Sequence, residues 1–225
     1  MKRIEYLYSY RFGIFLSSLL FILFGTLFVP SKLFDVFVNP VFFIVNILAG
    51  ILLIWNKKKI KNLFVFLFFT LIVVYILSSL LAIDEKSLTY IQFGILFSFY
   101  SIVTYEIIRQ VWQSKKVNRG VIFGLMSGYI SLGLVGFFIC MSVEILEPDS
   151  FSGLVSQKLN IEGNGDDLMY FSFITLLTIG YGDILPVSQL ARNAAVVIGL
   201  LGQFYLVIVT AVVVEKYIRH SSRLD

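Results

Sequence analysis

Asp166-Asp167-Leu168-Met169-Tyr170-Phe171-Ser172-Phe173-Ile174-Thr175-Leu176-Leu177-Thr178-Ile179-Gly180-Tyr181-Gly182-Asp183 decides how this 225-residue chain is read. Its uncharged part, Leu168 to Gly182, is 15 residues long, too short to cross roughly 30 Å of hydrocarbon and suited to a segment that dips in and returns. Two acids precede about three helical turns, where carboxylates cap free N–H groups and meet the positive end of the helix dipole. The far end of that helix turns its partial negative charge into the membrane, which makes sense where a cation is held. After Leu177 the pattern breaks into Thr-Ile-Gly-Tyr-Gly, where two glycines separated by one residue open backbone angles closed to other residues. Successive carbonyls can then point the same way. Brought to one axis by four copies of the chain, the carbonyls of Thr178, Ile179, Gly180 and Tyr181, with the Thr178 hydroxyl below and Gly182 completing the loop, form stacked oxygen cages that replace a cation's water shell. Such cages suit potassium, the expected permeant ion and the one metal ion expected here.

Working outward, the rest of the chain supplies a bilayer around this segment. It is 58% hydrophobic and 14% charged, with 23 Phe and 12 Tyr and a mean hydropathy of +0.90, outside the range of soluble domains. Six longer uncharged runs stand at Phe12 to Ser31, Val36 to Asn56, Asn62 to Ile83, Ser87 to Tyr105, Gly120 to Val143 and Asn193 to Val214. Each has the length of a spanning helix. The fold expected is an all-α membrane protein of six transmembrane helices, with a re-entrant pore helix and filter loop between the fifth and sixth. The N-terminal apolar stretch is long and no small-x-small cleavage site follows it, so it reads as the first span, not a signal peptide.

Orientation follows from Lys and Arg, which are retained on the cytoplasmic side. Six spans place fourteen of the 18 basic residues on one side, including Lys2, Arg3, Arg11, Lys57, Lys58, Lys59, Lys61, Arg109, Lys115, Lys116, Arg119, Lys216, Arg219 and Arg223. Lys32, Lys86, Lys158 and Arg192 fall on the other. Both termini are therefore expected in the cytoplasm and 144–192 outside, in a multi-pass protein of the cell (inner) membrane. The domains expected are a four-helix block at 1–113, a cytoplasmic bridge at 114–118, a pore domain at 119–216 and a short tail at 217–225. No Pro-, Ser- or Gly-rich linker appears, so no soluble regulatory domain is expected. One cysteine, Cys140, and one histidine, His220, leave little for a metalloenzyme or Ser-His chemistry. A net charge of +4 is modest for nucleic-acid binding. The chain is expected to be neither an enzyme nor a nucleic-acid binder, and to need no cofactor.

Thr178-Ile179-Gly180-Tyr181-Gly182-Asp183 resembles the selectivity-filter signature of the potassium channel family. Pro186-Val187, Arg192, Gly202 and Thr210-Ala211 fall, without gaps, where the two-helix bacterial members carry similar residues. The resemblance covers roughly Gly120 to Val214 and implies a gating hinge at Gly202, with Gly199 as a second helix-relaxing position, and a cavity lined by Thr210. Gln203 either faces that cavity or hydrogen-bonds a neighbouring helix. Ile174 stands where several members carry a carboxylate behind the filter, and Tyr170-Phe171 replaces a tryptophan pair. Support behind the filter is thus expected to differ, with the Tyr170 hydroxyl hydrogen-bonding Asp183.

Six spans also resemble voltage-gated channels, whose fourth span carries basic residues at every third position. Ser87 to Tyr105 carries none. Arg109 beside Glu106 reads as a solvated salt bridge at a helix end, and weak or no voltage sensing is expected. The whole chain is closer to small bacterial six-span proteins with one pore domain and an uncharged four-helix block. Outside the membrane, Glu144, Glu147, Asp149, Glu162, Asp166, Asp167 and Asp183 either form a negative vestibule that gathers cations or are ordinary loop charges. The function expected is a homotetrameric potassium-selective channel in the lipid bilayer, conducting passively. The alternatives are a weakly selective cation channel and a non-conducting membrane sensor or modifying subunit.

Overall fold

The computed structural model describes residues 2–28, 39–81, 85–114, 118–155 and 161–221. Lys32, Lys115, Lys116, Lys158 and Arg223, all used for orientation, lie outside the described residues, as does the middle of the 114–118 bridge. The described chain is mostly helical: α1 (Lys2–Ser9), α2 (Arg11–Phe24), α3 (Asn39–Leu53), α4 (Lys58–Leu81), α5 (Glu85–Gln113), α6 (Arg119–Leu146), α7 (Ile161–Leu176) and α8 (Gln189–Ser221). A two-stranded antiparallel ribbon, β1 (Phe151–Ser152) and β2 (Leu185–Pro186), pairs Phe151 with Pro186 and Ser152 with Leu185.

Among the described residues four helices are long and apolar enough to cross a membrane: Lys58–Leu77, Tyr90–Gln113, Arg119–Leu146 and Gln189–Val212. The first two expected spans coincide with shorter apolar helices, Arg11–Leu27 and Val41–Leu53. The chain divides into two compact units, Met1–Gly128 and Tyr129–Asp225.

In the first unit α2 packs on α3, α3 on α4 and α4 on α5. Phe15, Leu19, Ile47, Leu53, Phe64, Leu71, Phe99 and Tyr100 are fully buried there, and the Phe64 and Phe99 rings lie 4.8 Å apart. The first turns of α6 belong to this unit, with the Ser127 hydroxyl donating to the Phe12 carbonyl at 3.4 Å. A polar network runs through the core. Asn46 donates to the Ser18 hydroxyl at 2.8 Å, Ser18 to the Phe15 carbonyl at 2.8 Å, and Tyr100 to Asn46 Oδ1 at 3.0 Å. In a bilayer, where lipid tails give helices little reason to associate, such bonds fix which faces meet.

The Glu106–Arg109 pair is not the solvated helix end expected from the sequence. Helix α5 runs on to Gln113, and Glu106 is 1% exposed, ion-paired to Lys57 and 3.7 Å from Arg109 Nη1. Lys57 lies just beyond α3, too far along the chain for local spacing to reveal the contact.

In the second unit α7 packs against α8 and against α6. A Cβ at Gly133 would strike the Phe173 ring, so the small residue admits the close approach of α7. The Ser172 hydroxyl, fully buried, donates to the Gly133 carbonyl at 2.7 Å. Glu144 turns inward at the end of α6, accepting from the amides of Asp149 and Ser150 at 3.0 and 3.1 Å.

Candidate ion-conduction site

Helix α7 ends at Leu176 and the chain leaves it in a tight loop. The amides of Ile179 and Gly180 both turn back to the Ile174 carbonyl, at 2.9 and 3.4 Å. That carbonyl anchors the loop at the position where several potassium channels carry a carboxylate side chain, while the Ile174 side chain is buried.

The backbone then alternates. Thr178, Gly180 and Gly182 have φ of 58°, 56° and 82°, whereas Ile179 and Tyr181 do not enter the positive-φ region. In a strand of one hand, successive carbonyls alternate sides; reversing the hand at every second residue turns them toward one side and forms a concave row of like dipoles. Glycine adopts positive φ without steric penalty. Thr178, β-branched, does so at a cost on the order of 1–3 kcal/mol, strain of the kind found at functional sites. Among the described residues no hydrogen bond reaches the carbonyls of Thr178, Ile179, Gly180 or Tyr181. The side chains of Ile179 and Tyr181 and the backbone at Gly182 are exposed in the single chain.

Beyond the loop the Tyr170 hydroxyl donates to Asp183 Oδ2 at 2.7 Å, so the bond expected between them is present. Asp183 Oδ1 also accepts from the Ile184 amide at 3.1 Å. The Tyr170 bond, with lesser help from the backbone amides of Asp183 and Ile184, holds the Asp183 carboxyl below its usual value against the opposing effect of burial. The negative charge thus persists beside the loop at mildly acidic pH.

Behind the loop, the Leu176 carbonyl at the end of α7 accepts from the Tyr129 hydroxyl at 3.2 Å. The Tyr129 and Tyr205 rings lie 5.4 Å apart. A Cβ at Gly202 would strike the same Leu176 carbonyl, whereas one at Gly199 would meet nothing within 4 Å. Gly202 therefore allows α8 to approach the end of α7. Gln203 and Thr210 are exposed on α8, and the Thr210 hydroxyl donates to the Leu206 carbonyl at 2.7 Å. The Tyr129 contact escaped the sequence reading: nothing local distinguishes Tyr129 from the other aromatic residues.

The outer acids are not equivalent. Glu144 is committed to loop amides and 5% exposed, and Asp167 Oδ2 accepts from the Val155 amide at 2.7 Å. Neither is a free loop charge.

Comparison with known proteins bears on the same stretch. Residues 125–219 match the family model described as "Ion channel", in keeping with the resemblance of the Thr178–Asp183 motif to the potassium channel family. A relative named two-pore potassium channel 5, from Arabidopsis thaliana, is 34% identical over 102 residues, which are 45% of this chain and 22% of the relative. The chain thus spans about a fifth of the curated relative that it matches. No solved structure matches it.

Proposed function

We propose that the protein is a potassium-selective channel, assembled as a homotetramer, in which Thr178, Ile179, Gly180, Tyr181 and Gly182 form the filter. The observation that carries this reading is the alternating positive φ at Thr178, Gly180 and Gly182, with the four carbonyls before Gly182 left without protein donors. Oxygens so arranged are expensive to bury in lipid and favourable around a dehydrated cation. One loop supplies a quarter of a fourfold cage, so closure requires four copies.

Six spans, with α2 and α3 as the first two and α7 re-entrant, make the apolar helices compatible with this pore. Both termini then face the cytoplasm, and the chain resides in the cell membrane. Tyr170 and Asp183 brace the filter from outside. Gly202 serves as the gating hinge, with Gly199 beside it, while Thr210 and Gln203 line the cavity. The 1–113 block, free of basic residues from Ser87 to Tyr105, is not a voltage sensor.

A second reading, a weakly selective cation channel, is favoured by the buried Ile174 behind the filter, where no side-chain acid stiffens the loop. Purified protein in liposomes tests both. Potassium efflux blocked by barium, with a reversal potential that follows the potassium gradient and ignores sodium, supports the selective channel. Equal response to sodium supports the weaker filter, and silence in every gradient rejects conduction.

A further inference from the structure

A second candidate site lies in the first unit. A cavity of about 390 Å³ is lined by Ser9, Arg11, Gln110, Ser114, Asn118 and Gly120, with apolar walls at Phe12 and Val121. Arg11 is half-buried on its wall. Its Nε donates to Gln110 Oε1 at 3.3 Å and its Nη1 to the Tyr8 carbonyl at 3.0 Å. The guanidinium also sits 4.2 Å from the Tyr8 ring centroid and 4.5 Å from that of Phe12. These partners orient the group and leave its charge uncompensated: among the described residues the ion pairs are Lys57–Glu106 and Arg109–Glu106, and neither involves Arg11. A half-buried cation with no carboxylate partner among the described residues is partly removed from water, a cost that a bound anion would offset.

The chemistry of that anion follows from the lining. A planar guanidinium with free N–H groups, flanked by hydroxyl and amide side chains, matches the oxygens of a phosphate group. The amino end of α6 at Gly120 adds the positive end of a helix dipole to the same wall. The volume suits a headgroup and its glycerol, not acyl chains. Exposed Tyr10 stands between Ser9 and Arg11 in the chain and exposed Trp112 between Gln110 and Ser114, the residue types that mark a membrane–water boundary.

We propose that this cavity binds the phosphate of an anionic phospholipid headgroup at the cytoplasmic surface. Its placement there rests on the orientation proposed above, whereas binding itself does not depend on conduction. The experiment titrates the purified full chain in detergent with short-chain phosphatidylglycerol, followed by calorimetry, with phosphatidylcholine of equal chain length and inorganic phosphate as parallel arms. Saturable phosphatidylglycerol binding is expected, at least about tenfold tighter than phosphatidylcholine and displaced by high inorganic phosphate. Arg11→Gln should weaken it about tenfold or more, and Arg11→Lys by less, since the charge stays and the fork is lost. Ser9 is exposed at the cavity lip, so Ser9→Phe blocks the site without touching the core and should also abolish binding. Equal affinity for the two lipids, or unchanged phosphatidylglycerol binding in both Arg11→Gln and Ser9→Phe, overturns the proposal. Inorganic phosphate binding more tightly than the lipid would overturn the lipid assignment. Potassium flux, measured separately, fails or succeeds independently of these titrations.

Discussion

Asp183 illustrates how much of this protein rests on single side chains. Its carboxylate takes a hydrogen bond from Tyr170 at 2.7 Å, which favours the charged form. The stabilisation is present above the usual carboxyl value and is lost as pH falls through the lowered one. Currents should therefore resist external acidification further in the wild type than in Tyr170→Phe. In that variant the acid midpoint is expected to move upward and the filter to inactivate faster or lose selectivity, as read from pH-jump and reversal-potential recordings. Gly202 and Gly199 make a paired case. Gly202→Ala places a methyl against the Leu176 carbonyl and should cost about 1–3 kcal/mol, seen as a lower melting temperature of the assembled protein. Gly199→Ala enters open space and should be neutral or slightly stabilising, because alanine favours helix over glycine by roughly 1 kcal/mol. Equal effects in the two variants would reject the packing role of Gly202.

At the scale of elements, polar contacts select the helix pairings in the first unit. Tyr100→Phe removes the donor to a fully buried Asn46 and is expected to destabilise the unit by about 1–3 kcal/mol, the cost of an unsatisfied buried acceptor. Denaturation of the reconstituted protein would show it. Lys57→Met leaves Glu106, 1% exposed, with Arg109 alone at 3.7 Å. Removing one partner of a buried pair costs about 3–5 kcal/mol. Lys57 is itself 30% exposed, so solvent screening reduces this to about 2–3 kcal/mol. Lys58→Met, next in the chain, should cost far less. Equal losses in the two variants would show that the bridge contributes nothing. The fourth expected span, Ser87 to Tyr105, was legible as uncharged and apolar. Its continuation to Gln113 was not, because Glu106 and Arg109 look like surface residues until a lysine from beyond another helix neutralises one of them.

For the whole molecule, the side chains of Val196, Leu200, Phe204 and Val207 are exposed on α8 at spacings that place them along one stripe. So extensive an apolar stripe calls for lipid or further copies of the chain. Chemical crosslinking in membranes should give a ladder ending at four chains, and a monomer as the sole species would remove the basis for the fourfold filter. Voltage should matter little. One charge moved fully through the field supplies about 2.3 kcal/mol per 100 mV, and the fourth expected span carries no basic residue within its apolar stretch. A steep conductance–voltage curve would contradict this.

The sequence by itself determined the membrane setting and the glycine-opened loop after α7, because both are written locally. Apolar run lengths report a bilayer's thickness, and Thr178-Ile179-Gly180-Tyr181-Gly182 states its backbone freedom through its own glycines. Only the tertiary structure decided which side chains complete one another over long separations. It set Tyr129 on the Leu176 carbonyl, Glu106 on Lys57, Tyr100 on Asn46, and Arg11 in a cavity where no ion-pair partner stands among the described residues. Each is a matter of distance and burial between residues far apart in the chain, and neither composition nor periodicity carries that information.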